Sequence, residues 1–561
     1  MNSLNYKNIL KIARIEFVEV KSKSVFLLWI ICLVIFLSNF VFSIDRKRQK
    51  STREDLSKHD SLLYLPLDER FTTRDLFLSN AEITTYRIST PEKSMLPRKK
   101  ILPDIDALLE WTQKAAKDSK ISIISADMFL YGGLIASRIS VDSYEAVRTR
   151  LKILENIHLE NPQLQLFVSS TVMRTPAYPS AEEEPDYYGE YGRQIFLFSF
   201  HTHRYDVLHD PKDKTASDAY KNQIPQTVLN DFLTRRARNF SVNKDLIKMV
   251  EKNVIKRLVI TLDDNAEYGF SRREAVELEK LAAPFRNRIA IYHGADEAQL
   301  TLLSNIVAAK KPVSVFPVYR FPQSKNLIPA FEGEPLAASV KQQISAAGGY
   351  VENDLRKADC ILYINNFEEK ETFPPKNKID LPADAKPLED WLKRTGINSI
   401  GRKILILADN RFYNGADTEV IAALFKSKIN SKQIAYAGWN TSGNTLGSSI
   451  ALGVLRARMA KNASNFSRYR KLLFARFIED WVYMTIGRDR VRNDLQQQNL
   501  KEFAGTKFER EYELKMKDLF NLHAVEINRF LKSNFNITEV FFPWHRSFEV
   551  GFTIKSDETS K

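Results

Sequence analysis

Chemistry in this chain is most legible where apolar runs stop at carboxylates and amides. In residues 257–269, RLVITLDDNAEYG, the run Val259, Ile260 and Leu262 breaks off at Asp263 and Asp264. A short β-branched run bounded by polar residues reads as a strand covered on both faces. In α/β folds the carboxyl end of such a strand opens onto the ligand crevice. Two adjacent acids at that position can divide acid and base work between them. The plainer reading is that one aspartate caps the next helix and the other is solvated.

Repetition favours the chemical reading. Residues 61–70, SLLYLPLDER, end in Asp68, Glu69 and Arg70. Residues 121–126 run into Asp127 and a loop with Tyr131 and paired glycines, residues 164–170 lead to Arg174, and residues 289–292 to Asp296 and Glu297. Later runs end at Asp409 and Asn410, and at Trp439 and Asn440. Between these strands lie stretches with helical apolar spacing, at 108–117, 144–159, 228–254, 298–309, 336–347, 387–395 and 418–426. Strand and helix alternate as a parallel sheet with crossover helices requires.

The chain has 561 residues, with 83 Lys and Arg against 69 Asp and Glu for a net charge of +14. The basic residues are dispersed and form no stripe interleaved with aromatics, so a nucleic-acid partner is not expected. Two cysteines exclude both a disulfide framework and a cysteine zinc site. Residues 25–44 form an uncharged apolar run of about 20 residues, the length that crosses a bilayer as a helix. Lysines and arginines flank it on both sides. The expected organisation is a membrane anchor and linker over 1–60, an α/β domain over 61–460, and a mostly helical, basic extension over 461–561. The expected partner is the bilayer, with the bulk of the chain outside the cytoplasm.

Residues 176–225 interrupt the alternation with a polar, aromatic insertion of the kind that forms lids or binding loops. It carries His201, His203 and His209. Histidines two apart in an extended loop lack the further ligands a metal needs, and no metal is expected there.

The strings LPLDER (65–70), DMFLYGGLIASR (127–138), GADE (294–297), NGAD (414–417) and AGWNTSGNTLG (437–447) occur in this order. Together they resemble the bacterial family catalogued as domain of unknown function 4127, over nearly everything from Ser61 onward. That family name implies no reaction. A more distant resemblance is to the eight-stranded barrel glycosidases related to hyaluronidase and to O-linked N-acetylglucosaminidase, in which an Asp-Asp pair ends the fourth strand. It implies a TIM-like (β/α)8 barrel with strands starting near Leu62, Ile121, Leu164, Leu258, Ile289, Cys360, Lys403 and Ile434. The runs at 83–88 and 313–319 are then extras, which an open doubly wound sheet, the alternative, absorbs more easily. The resemblance further implies that Asp263 orients a substrate acetamido group and that Asp264 is the general acid.

Three functions follow as expectations. The first is a cofactor-free glycoside hydrolase acting on an envelope or extracellular glycan. Asp263 and Asp264 would be its catalytic pair, and Asp68, Arg70, Asp127, Arg174, Asp296, Glu297, Asn410, Asp417 and Asn440 polar contacts to substrate. Tyr131, Tyr268 and Trp439 would offer flat faces to a sugar ring. The second is a metal-dependent hydrolase with ligands among Asp68, Asp127, Asp263, Asp264 or the histidine-bearing loop. The third is a membrane-anchored scaffold that holds a glycan or peptide without turnover.

Overall fold

The computed structural model describes residues 60–374, 380–503 and 507–556. The apolar run at 25–44 lies outside the described residues. Among those described, no helix is long and apolar enough to cross a membrane.

Eleven parallel strands form two sheets. The first contains β1 (Ser61–Leu65), β2 (Arg87–Ser89), β3 (Ile121–Ser125), β4 (Gln165–Val172), β5 (Ile255–Leu262) and β6 (Ile289–His293), in the order β2-β1-β3-β4-β5-β6. The second contains β7 (Val313–Tyr319), β8 (Gly349–Val351), β9 (Cys360–Ile364), β10 (Ile404–Ala408) and β11 (Ile434–Ala437), in the order β8-β7-β9-β10-β11. In each sheet the second strand lies outside the first and the rest build the other way, the doubly wound arrangement with a switch point beside the first strand.

The expected eight-stranded barrel is therefore not formed. Ring closure would require β1 to pair with β11, but β1 gives one edge to β2 and the other to β3. It would also require β9 to follow β6, whereas β9 pairs with β7 and β10. The two runs treated as extras supply β2 and β7, which occupy the edges that a barrel needs. Of the two architectures weighed, the open doubly wound sheet describes both halves.

Side-chain alternation shows how each face of the first sheet is covered. Leu63, Leu65, Ile124, Leu166, Val168, Leu258 and Ile260 share one core with helices Ile105–Lys117, Tyr144–Glu160, Gln226–Glu251 and Phe270–Ala282. Leu62, Tyr64, Ile123, Phe167 and Val259 face the opposite way, into a core continuous with the second sheet and the C-terminal helices. Burial on both faces is why these strands are apolar throughout rather than alternating.

The two sheets meet through helices. Ala298–Ala308 lies on the first sheet, and Ser442–Arg458 packs against it and against β9, β10 and β11. The second helix starts SGNTLGSS because backbones approach closely there. A Cβ at Gly443 would fall within the radius of the His293 carbonyl oxygen, and one at Gly447 within that of the Glu297 side chain. Gln343 Nε2 donates to both His293 O (3.0 Å) and Gly443 O (2.8 Å), fastening the end of β6 to that helix.

Residues 176–225 are largely helical, contrary to the expected irregular insertion: Tyr188–Leu208 and Pro211–Lys221 span most of them. Ile195 and Phe198 pack on Leu229 and Phe232 in a small separate core, and the surrounding tyrosines and histidines hide that periodicity in the sequence. The longest irregular stretch left is the one before Tyr188, and it reaches the site described below. Likewise, the loop expected at Tyr131 is the end of a helix, Ala126–Tyr131, closed by Gly132 in the left-handed conformation (φ 91°). The chain ends with helices Ala463–Arg476, Arg488–Gln497 and Lys507–Leu531 and an antiparallel hairpin, β12 (Phe535–Phe541) and β13 (Gly551–Ser556). A run of wide π turns, Phe477–Gly487, joins the first two of these helices.

This close packing predicts that Gly443→Ala destabilises the fold by about 1–3 kcal/mol, because the opposing group is a backbone carbonyl that cannot rotate away. Urea unfolding followed by circular dichroism measures it; a midpoint equal to that of the parent would show that the sheets meet less tightly than described.

Candidate functional site

The carboxyl end of the first sheet, the irregular stretch before Tyr188 and the loop between β12 and β13 enclose a cavity of about 390 Å3. Its walls include Arg70, Arg174, Asp263, Asp264, Asp296 and Asn440. Six residues singled out from the sequence thus come together from the ends of β1, β4, β5, β6 and β11.

Each is held by identifiable partners. Asp68, only 1 % exposed, lies behind Arg70 and takes its Nε (2.9 Å) and Nη2 (2.7 Å) on one oxygen, Oδ2. Arg70 then pairs with Asp296 and lies over the Trp544 ring at 4.6 Å. Arg174 Nε donates to Glu184 (2.7 Å), Nη2 to Glu183 (3.0 Å), and Nη1 to both Asp264 (2.7 Å) and Asp263 (3.3 Å). Arg138 Nη2 donates to the same Asp263 oxygen at 2.6 Å. One aspartate is thus fixed by two guanidinium groups. Its neighbour receives one guanidinium and the Tyr178 hydroxyl (2.9 Å), on a tyrosine that is 41 % exposed.

Burial raises two of the acids at this cavity. Burial, followed by the charge of Asp263, pushes the Asp264 carboxyl up to about 6, with Arg174 and Tyr178 opposing. Burial pushes Asp296 up to about 7 against the pull of Arg70. Both therefore exchange protons near neutrality, as groups that give and take protons in a reaction must.

Four of the residues with positive φ lie at the same place. Asp264 (φ 33°), Phe331 (φ 63°), Asn414 (φ 59°) and Asn440 (φ 64°) all line the cavity with positive φ, which Asp and Asn adopt more readily than other L residues, so the strain is greatest at Phe331. Surroundings that hold several such residues at one cavity mark a site where geometry matters more than local stability.

Other expected site residues face elsewhere. Asp127 is buried, accepting from Thr171 Oγ1 (2.8 Å) and Thr171 N (3.1 Å), so it anchors the end of β4. Tyr131 is buried beneath the Arg238 guanidinium (4.8 Å). Tyr268 packs edge-on against Phe200 and His203. Trp439, 1 % exposed, belongs to the apolar core. Glu297 turns inward and takes the Ala295 N–H (3.0 Å). Asn410 Nδ2 donates to Ser442 O (3.0 Å), and Asp417 caps Thr418–Lys426 while pairing with Arg320 (3.1 Å). His201 Nδ1 lies 2.7 Å from Asp213 and His203 accepts from Gly269 N–H, so both serve helix packing.

Sequence reasoning did not find Glu183, Tyr178, Arg138, Arg488, Arg492 or Arg546, all at or beside this cavity. Signals for some of them existed. Glu183 sits in the acidic run EEEPD, Arg138 closes the string DMFLYGGLIASR, and Arg546 lies in PWHRSFE, a charged cluster inside an otherwise apolar tail. The flat faces at the cavity come from Tyr178, Phe331, Phe373 and Phe548 in place of the aromatics expected.

Glu297 yields a prediction about pH. Burial pushes it up to about 8, against 4.5 for an exposed glutamate, and its Oε1 has no hydrogen-bond partner among the described residues. The folded chain prefers it protonated, so its stabilising contribution is complete below about pH 4.5 and is lost as pH rises through about 8. Unfolding free energies measured at pH 6 and pH 8.5 should fall by about 1–3 kcal/mol more in the parent than in Glu297→Gln; equal falls would remove the assignment.

A family model described as "Protein of unknown function (DUF4127)" matches residues 62–553. No curated protein and no solved structure matches the chain. Spanning both sheets, the cavity and most of the closing hairpin, that match makes the chain a member of the DUF4127 family.

Proposed function

We propose that this cavity is the active site of a glycoside hydrolase in which Asp264 is the general acid and Asp263 the group that steadies the developing positive centre or the acetamido group that attacks it. The observation that carries the reading is the division between two adjacent acids. Asp263 is clamped by Arg138 and Arg174, while Asp264 is pushed up to about 6 and faces the cavity beside Tyr178. Breaking a glycosidic bond needs a proton delivered to the leaving oxygen and negative charge near the oxocarbenium-like carbon. With Asp264 protonated, its hydrogen passes to that oxygen; the carboxylate left behind then takes a proton from the incoming water. Asp296, held by Arg70, adds a third carboxyl to the cavity lining. Tyr178, Phe331 and Phe373 supply apolar faces on which a sugar ring stacks.

The strand count of the barrel glycosidases lends no support now that the sheets are open, so the reading stands on the cavity alone. The apolar run at 25–44 supports a bilayer-tethered enzyme, and a tethered hydrolase suits a polymeric glycan of the cell envelope.

Two measurements test the assignment. Against a panel of aryl glycosides, Asp264→Asn and Asp263→Asn should each lose about 10²–10⁴-fold in kcat/KM with circular dichroism unchanged. The loss in Asp264→Asn should shrink when the leaving group is a dinitrophenolate, which departs without a proton. The parent's rate should fall as pH rises through about 6, where Asp264 loses its proton. A uniform loss across leaving groups would deny Asp264 the acid role, and ligand binding without turnover in the parent would make the site a scaffold.

A further inference from the structure

Four guanidinium groups at or beside the cavity, those of Arg70, Arg138, Arg174 and Arg546, each meet two or more carboxylates within 4 Å. Arg488 does not. It opens the Arg488–Gln497 helix, is 4 % exposed and lines the cavity, yet no carboxylate of the described residues lies within salt-bridge distance of it. Its Nη1 makes one long hydrogen bond, 3.5 Å to Asn414 O, and its Nε makes none. Its guanidinium lies 4.8 Å from the centre of the Phe548 ring. One helical turn on, Arg492 lines the same wall, also without a carboxylate in range; its Nε reaches Ser547 Oγ at 3.4 Å. Glu502, which also lines the cavity, accepts the Ser547 N–H on its Oε2 (2.6 Å).

Arginine stays charged in a protein, and a buried charge without a counter-ion is costly. Two like charges four residues apart on one helix add repulsion to that cost. Burial, and after it the Arg492 charge, pulls Arg488 down to about 9, far below an ordinary guanidinium. The aromatic ring beneath Arg488 offers a face but no negative charge.

We infer that Arg488 and Arg492 form an anion subsite of this cavity, and that the natural ligand carries a carboxylate or phosphate group there. A planar guanidinium fork matches either group through paired N–H donors. The carboxyls of Asp263, Asp264 and Asp296 line the same cavity, so an anion is drawn to Arg488 and Arg492 and repelled near those acids, which biases how the ligand lies. This inference deepens the hydrolase reading by making its substrate an anionic glycan, a uronic acid or a phosphorylated sugar.

The test uses the full-length chain in detergent and measures binding rather than turnover. D-glucuronate, inorganic phosphate and neutral D-glucose are titrated by calorimetry and by thermal shift. At least one of the two anions should bind and raise the Tm, glucose should not, and whichever anion binds tells a carboxylated from a phosphorylated substrate. Binding should weaken at least tenfold in Arg488→Gln and in Arg492→Gln while persisting in Asp264→Asn. Without ligand, Arg488→Gln should melt at or above the parent temperature, because an unpaired buried charge has been removed. If Arg488→Gln does not fold, Arg488→Lys, which keeps the charge and loses the fork, takes its place with the same tenfold expectation. Failure of both anions to bind, or equal binding in the arginine variants, overturns the subsite. Because Asp264→Asn is expected to bind, loss of the hydrolase reading leaves the subsite standing, and the converse also holds.

Discussion

Buried guanidinium groups must find carboxylates, and that constraint ties this molecule together at its cavity. Glu183 shows it best: burial pushes its carboxyl up, yet the charges of Arg546, Arg174 and Arg138 pull it well below the usual range. These three arginines come from the closing hairpin, the end of β4 and the helix after Gly133. Breaking one pair would strand another charge in a low dielectric, which is strongly destabilising where removal of the whole network need not be. The network therefore does more to fix the relative position of distant segments than to add stability. It holds the two aspartates at the end of β5 so that a single guanidinium nitrogen, Arg174 Nη1, touches both.

Strain is the counterpart of that rigidity. Left-handed backbone at Asp264, Phe331, Asn414 and Asn440 persists because neighbouring contacts over-determine it. Asn414 N–H donates to Asn440 O at 2.8 Å, so two of the strained residues brace each other across the cavity wall. The same wall carries the unpaired Arg488, and a segment shaped for stability alone would carry neither feature.

Much of the fold is legible in the sequence, and what escapes does so for a physical reason. Short apolar runs such as CILYI and ILILA, bounded by polar residues, read as strands buried on both faces, and the structure has them at Cys360–Ile364 and Ile404–Ala408. Which strand pairs with which is not encoded by that pattern, because every buried parallel strand looks alike from one chain; hence the barrel expectation and the two open sheets. At the site, acids that end strands are visible, since the transition from apolar to charged is local. Glu183 and Arg546, which pair with each other beside those acids, are not, because an ion pair between segments hundreds of residues apart leaves no periodicity. Aromatic residues fail for another reason: Trp439 and Phe548 have the same character on paper, and only packing decides that one is core and the other cavity wall.

The second sheet sharpens what makes a strand-end acid chemically available. Its strand order matches that of the first sheet, and β10 ends in Asp409 and Asn410 much as β5 ends in Asp263 and Asp264. Asp409 takes Asn365 Nδ2 (2.7 Å) and the Asp417 N–H (2.8 Å), and Asn410 gives its amide to Ser442. Burial and the Asp417 charge push Asp409 up to about 7, as high as Asp296. A raised proton affinity alone therefore does not mark a functional acid. Asp409 is enclosed by amides and backbone that satisfy both its oxygens, with no room for a substrate atom. Asp264 is held on one oxygen by Arg174 and Tyr178 at the wall of an open cavity, with Asp263 beside it. Access, together with a neighbour of opposite task, is what distinguishes the end of β5 from its counterpart.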